Sequence, residues 1–166
     1  MDILYQQNNL VLRSARLADC ALLAAELRRL DREELAASCG GADVRKLLES
    51  FYRVSVKCVF LQYQNHPAAL FGLAPEVWLG RRACVWLLTG KSVEKIPKSF
   101  FRAARTLLKN ALNEYEELYN FVDERYLAAR RFVERLGGVF DGSFVTAGGV
   151  KFLRFTFRRK EYGRNC

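Results

Sequence analysis

Six consecutive apolar residues, Ala83-Cys84-Val85-Trp86-Leu87-Leu88, constrain this chain more than any other feature. Extended backbone points successive side chains to opposite faces, so such a strand is apolar on both sides and has to be covered on both. The run therefore belongs in the middle of a sheet. The next segment adds a second layer: Thr89-Gly90-Lys91-Ser92 leaves the strand, and Pro97 stands where a first helical turn begins. A helical pattern then continues to about Glu116. Phe101, Ala104, Leu108, Ala111 and Leu112 form its apolar stripe, while Lys98, Arg102, Arg105 and Lys109 recur at i, i+4, i+7 and i+11 on another face.

The other elements are read from periodicity and turn chemistry. Leu10 to Ala15 is a short strand, and Asp19 caps a helix carrying Leu22, Leu23, Leu27 and Leu30 on one face. Asp31, with Glu34 three places on, has the spacing of a capping box and restarts the helix at an angle, until Gly40-Gly41 ends it. Asp43 caps a third helix with Val44, Leu47, Leu48 and Phe51 at helical spacing. Val56 to Tyr63 and Ala68 to Leu73 read as an antiparallel hairpin turning at Gln64-Asn65-His66-Pro67, with Gly72 marking a bulge or a close approach. A turn at Leu79 to Arg82 leads into the central strand. After the long helix come a strand at Leu118 to Val122 and a helix at Tyr126 to Leu136 with Phe132, Val133 and Leu136 inward, stopped by Gly137-Gly138. Val139 to Thr146 and Lys151 to Arg158 close the chain as a hairpin around Gly148-Gly149, with Leu153, Phe155 and Phe157 on one side of the last strand.

With 166 residues, 51% of them hydrophobic and no repeat or low-complexity linker, the chain reads as one domain, 1–166, that needs no disulfide or metal staple. Its N-terminus lacks the basic start and apolar run of a leader, and no stretch approaches the ~18 apolar residues of a membrane span. Five cysteines without a C-x-x-C pair fit reduced thiols in the cytoplasm, and with a single histidine no metal site is expected. Cys84, Trp78 and Trp86 read as core, His66 as a turn residue, and the tail Arg158 to Arg164 as a frayed basic end. The net charge of +9 is uneven: residues 1 to 50 carry 7 basic and 8 acidic groups, residues 126 to 166 carry 9 and 3. Between 81 and 109, eight cations face the single acid Glu94, a local field suited to an anionic partner.

This order of elements resembles the Gcn5-related N-acetyltransferase (GNAT) fold. The stretch Ala128-Ala129-Arg130-Arg131-Phe132-Val133-Glu134-Arg135-Leu136-Gly137-Gly138-Val139-Phe140 is similar to that family's helix ending in Leu-Gly-Phe. Trp86 to Lys91, Leu118 to Val122 and Arg131 to Phe140 are further similar to acetyltransferase-like proteins of tailed phages, among them a small internal virion protein type. The resemblance implies an α+β architecture: a mixed, mostly antiparallel central sheet of six to seven strands with helices on both faces. It also implies acetyl-CoA or another acyl-CoA as cofactor, held where the central strand parts from its neighbour and at the loop and helix start beyond it. By position the cofactor residues are Leu88, Thr89, Gly90, Lys91, Ser92, Lys95, Lys98 and Ser99, with an oxyanion donor in a backbone N–H near Leu88. The loop departs from the family's glycine-rich pattern: it offers lysines around Gly90 and encodes no close backbone cradle. At the place of the family's tyrosine acid stands Val133, with Tyr126 two turns earlier as a substitute, and Glu76, Asp123 and Glu124 are the base candidates.

These features point to two functions of different classes. One is an acyl-CoA-dependent N-acyltransferase of phage or prophage origin, working in the host cytoplasm. The other is a protein that keeps the fold without the chemistry and meets phage structural proteins, packaged in the virion. Nucleic-acid binding ranks third, because no helix-turn-helix, zinc-finger or RNP pattern supports it. The amine acceptor and the oligomeric state are left open.

Overall fold

The computed structural model describes residues 3–7, 9–77 and 80–160. Trp78, the turn residue Leu79, Cys166 and the tail from Glu161 onward lie outside the described residues. The elements are β1 (Ile3–Gln7), β2 (Leu10–Ser14), α1 (Leu17–Glu26), α2 (Arg29–Cys39), α3 (Val44–Val54), β3 (Lys57–Tyr63), β4 (His66–Pro75) and β5 (Arg82–Thr89). A short 3-10 turn (Lys91–Lys95) comes next, then α4 (Pro97–Glu114), β6 (Glu117–Asp123), α5 (Leu127–Arg135), β7 (Val139–Ala147) and β8 (Val150–Arg158). The strands form one sheet in the order β1-β2-β3-β4-β5-β6-β8-β7. All neighbours pair antiparallel except β5 and β6, which run parallel.

β5 holds the central place its composition demands. Trp86 and Leu88 point into a core with Cys20 and Leu23 of α1, Leu48 of α3, and Phe60 and Leu70 of β3 and β4. Val85, on the opposite face, meets Ala104, Leu108, Ala111 and Leu112 of α4 together with Phe155 and Phe157 of β8. Each fully buried side chain of this size contributes roughly 1.5–3 kcal/mol relative to exposure, so both helical layers are needed to stabilise one strand. No helix among the described residues is long and apolar enough to cross a membrane.

Among the described residues the sheet has eight strands rather than six or seven. The additional one is β1, an edge strand whose five residues are all exposed, so no alternation marks it in the sequence. The amphipathic face read across Leu22, Leu23, Leu27 and Leu30 is also redrawn. Leu23 and Leu27 are buried, but Leu27 terminates α1, and Leu22 and Leu30 face solvent. Asp19 is not the cap; Arg16 takes that place, and the Asp19 carboxylate accepts its N–H at 2.6 Å. The same carboxylate forms a buried bidentate pair with Arg13, two bonds of 2.7 Å, and the guanidinium lies over the Phe60 ring. The β3–β4 turn is tighter than expected. Gln64 and Asn65 alone take positive φ, 50° and 64°, so His66 and Pro67 already belong to β4.

Gly72 marks a close approach, and the ladder irregularity of this hairpin falls elsewhere, between Leu61 and Gln62. Paired with Trp86, Gly72 leaves room for the indole: a Cβ there would sit 2.2 Å from the ring. The indole N–H in turn donates to Ser55 Oγ at 2.9 Å, tying the end of α3 to the sheet. Gly72→Ala is therefore expected to lower stability by about 1–3 kcal/mol through overpacking. A fall in the urea midpoint at unchanged m-value checks this.

Candidate active site

β5 and β6 pair over three residues only, Arg82–Cys84 against Glu117–Tyr119, and then part. Asn120 fastens the fork: its Nδ2 donates to the Val85 carbonyl at 2.8 Å, and its Oδ1 accepts the Phe121 N–H. At the open end, the Thr89 N–H donates to Asp31 Oδ1 at 2.9 Å and its carbonyl accepts the Arg28 N–H at 3.0 Å. The next N–H, of Gly90, points the other way, to Ala68 of β4. Peptide groups alternate sides along a strand, so the N–H and C=O of Leu87 face the gap, between the bonds at Val85 and Thr89.

Two acids one helical turn apart on α2 hold the parted strands. Asp31 accepts from the N–H and hydroxyl of Thr89 on β5 and pairs with Arg28 Nε at 2.9 Å. Glu34 Oε1 accepts the Asp123 N–H of β6 at 3.0 Å. Burial pushes the Glu34 carboxyl up to about 7; the charges of Asp31 and Asp123 add to this and the bond from Asp123 opposes it. A carboxyl that titrates near neutrality at the rim of a gap is poised to take a proton. These two residues have the spacing that reads in sequence as a capping box. The α2 cap is Arg28 instead, and the acids reach across to the sheet.

The structure brings three of the four residues expected to do proton chemistry to this end of the sheet. Asp123 is fully buried and bound by Arg125 through contacts of 2.6, 2.9 and 3.2 Å, which hold it below the usual carboxylate range. Such a group stays ionised and has its lone pairs engaged. Glu124 pairs with Lys151 at 3.5 Å. The Tyr126 hydroxyl donates to Glu33 Oε2 at 3.3 Å, and burial together with Glu33 pushes the phenol up to about 12. Glu76 is not brought there. It comes after Pro75, which pairs with Ala83 at the start of β5, roughly 20 Å along the strand from Thr89 at 3.3 Å per residue. It meets Arg82 at 3.4 Å instead.

The residues expected to hold the cofactor divide between packing and exposure. The Leu88 side chain packs under α1 and α3, and Gly90 forms a bridge with Leu27. A Cβ on Gly90 would lie 2.4 Å from the Pro67 carbonyl, so this glycine serves the close approach of two chain segments. Ser92 is buried and donates to the same carbonyl at 2.7 Å. Lys91, Lys95 and Lys98 are exposed beside the start of α4, with Ser99 half-buried in its first turn. Val133 is core, packed against the place where a Gly138 side chain would go. Burial pushes the Cys84 thiol up to about 11. Sequence reasoning misses Asp31, Glu33, Glu34 and Asn120 as site residues, and the only local signal, the Asp31-x-x-Glu34 spacing, has a second meaning as a cap.

Because Glu34 binds its proton more tightly folded than unfolded, it contributes more stability below its ordinary carboxylate range than above about 7. Unfolding free energy is expected to fall by up to about 3 kcal/mol from this group as pH rises through that window. Glu34→Gln, which still accepts the Asp123 N–H, is expected to flatten the dependence. Side-chain carboxyl NMR of Glu34 and denaturant titrations at several pH values check both.

Several solved acetyltransferases are similar to this chain in fold. The ribosomal L7/L12 alpha-N-protein acetyltransferase RimL, in complex with coenzyme A, has a TM-score of 0.70 at 12% identity, covering 95% of this chain and 98% of that one. The aminoglycoside acetyltransferase AAC(6')-Ib, with ribostamycin and coenzyme A, has 0.66 at 18%, covering 94% and 97%. An acetyltransferase of the GNAT family from Streptococcus pneumoniae has 0.64 at 16%, covering 90% and 98%. No protein-family model and no curated protein sequence matches the chain. The fold is GNAT-like: α+β, with an eight-stranded, mostly antiparallel sheet and five helices among the described residues.

Proposed function

We propose that this protein is an acyl-CoA-dependent N-acyltransferase in which Glu34 takes the proton of the acceptor amine. The observation that carries the reading is the parting of β5 from β6, with the Leu87 peptide facing the gap and the Glu34 carboxyl at its rim. Acyl-CoA, when bound, supplies the activated acyl group. The Leu87 N–H and C=O fit the amides of an extended pantetheine arm, and that N–H is the donor available to a developing oxyanion. The resemblance puts that donor in a backbone N–H near Leu88, and Leu87 is its immediate neighbour. The loop fits less closely: Gly90 and the Thr89 N–H are engaged within the protein, so phosphates would be held by the side chains of Lys91, Lys95 and Lys98. Asp123 keeps the strand end in place through Arg125, and Tyr126 remains a protonated phenol beside Glu33.

A second reading rests on its own observation. Asp31 places a carboxylate on the last gap-facing N–H of β5, and Val133 fills the position of the family's acid with a core side chain. Both features suit a phage-particle protein that keeps the fold without the chemistry, carried from the host cytoplasm into the virion.

Thermal unfolding with acetyl-CoA separates the two. At one hundred times its dissociation constant the ligand adds about 2.7 kcal/mol, a rise of roughly 5–10 °C in midpoint for a chain of this size. No rise at millimolar acetyl-CoA overturns the enzyme reading. With spermidine, ribostamycin and a peptide with a free α-amino group as acceptors, thiol release is expected to increase as pH rises through about 7. Glu34→Gln is expected to lower kcat by about 10²–10⁴-fold while keeping the thermal shift.

A further inference from the structure

The exposed face of α4 is charged in a way that helix stability does not explain. Lys98, Arg102, Arg105 and Lys109 project from it over roughly 16 Å at 1.5 Å per residue, and all four are exposed. Lys98 with Arg102 and Arg105 with Lys109 are like charges at i,i+4, which destabilise a helix, and the first turn carries no acid to match the dipole. Other helices of the protein do the opposite, pairing Arg29 with Glu33 and Arg45 with Glu49 at that spacing. Among the described residues, Lys98, Arg102 and Lys109 make no ion pair. The one acid of α4, Glu114, stands at its last residue and is paired with Lys57. Next to the basic row, Arg135 of α5 holds its guanidinium over Phe101, 5.3 Å from the ring centroid, and extends the basic surface.

We infer that the α4 face binds the phosphate backbone of double-stranded nucleic acid without reading its sequence. The exposed uncharged polar residues of α4 are Thr106, Asn110 and Asn113, side chains that donate hydrogen bonds to phosphate and sugar oxygens. None of the exposed large hydrophobic side chains lies on α4, whereas a protein partner would call for an apolar centre with charge at the rim. The face also lacks an exposed aromatic ring, which a single strand would use for stacking. Backbone contact of this kind needs none of the sequence motifs that mark base readout. The row starts at Lys98, which it shares with the proposed phosphate site, and runs from there away from the β5–β6 gap, so Arg102, Arg105 and Lys109 stand apart from the proposed acyl transfer.

The test is fluorescence anisotropy of a labelled random-sequence DNA duplex, titrated between about 50 and 200 mM salt. Arg102→Gln/Lys109→Gln is expected to weaken binding roughly 60-fold near 0.1 M salt and to flatten the log–log salt slope by about 1.8, two phosphates at about 0.9 each. Its melting midpoint is expected to hold or rise, because like-charge repulsion is relieved. Lys46→Gln/Arg53→Gln removes the same charge from α3 and is expected to change binding little. Equal losses in both variants overturn the proposal in favour of diffuse net charge. Equally tight binding of poly-glutamate overturns it in favour of an acidic protein surface, and displacement of the duplex by acetyl-CoA assigns the cations to the cofactor. Acetyl-CoA's own thermal shift reports on acyl transfer independently of all three.

Discussion

The peptide groups on the β6 side of β5 are divided among different partners, and that division governs what is built around the strand. β6 takes the first stretch, the Asn120 amide takes Val85, and α2 with the chain just before it takes Thr89 through Asp31 and Arg28. Only the Leu87 peptide lies between these claims. A buried donor left without a partner costs about 1–3 kcal/mol, so a gap of this kind persists only where water or a ligand can reach it. The fork in the sheet is therefore a built feature.

The clasp from α2 works through two carboxyls in unlike surroundings. Asp31 receives an N–H, a hydroxyl and a guanidinium, a set that offsets the burial of its charge. Glu34 is held up chiefly by burial and secondarily by two nearby acids, which outweigh the single N–H it receives, and its proton is correspondingly hard to remove. One residue thus secures the strand while the other keeps its proton up to about neutrality. An ionised acid and one that holds its proton are divided between neighbouring turns of one helix, a common arrangement where a site carries groups that the fold alone would not favour.

Charge is segregated as well. Glu117 gathers Arg82, Arg154 and Arg158 at the closed end of the sheet, Asp31, Glu33 and Glu34 gather at the open end, and the exposed row on α4 is left with cations. Glu117 is held below its ordinary value despite partial burial because three guanidiniums surround it. An even mixing of signs would have served solubility equally well.

Burial imposes a period, and a period is written in the sequence: β5, α4, the β3–β4 pair, α5 and β8 were legible because each turns an apolar face to the core. β7, largely exposed, was legible instead from the Gly148-Gly149 turn that joins it to β8. Gly72 could be singled out because only glycine admits the Trp86 ring. β1 was not legible, since an edge strand exposed throughout carries no period. Polar residues were the harder case. Asp19 and Asp31 both stand within one turn of a helix start, where a carboxylate can bind its own helix or cross to another element, and the two choices look alike in one dimension. Asp19 does both and Asp31 crosses to Thr89. The sequence by itself determined the layers, the central strand and the basic face of α4; the tertiary structure alone decided which carboxyl meets the gap, because a polar side chain's partner depends on distances between elements that no local pattern records.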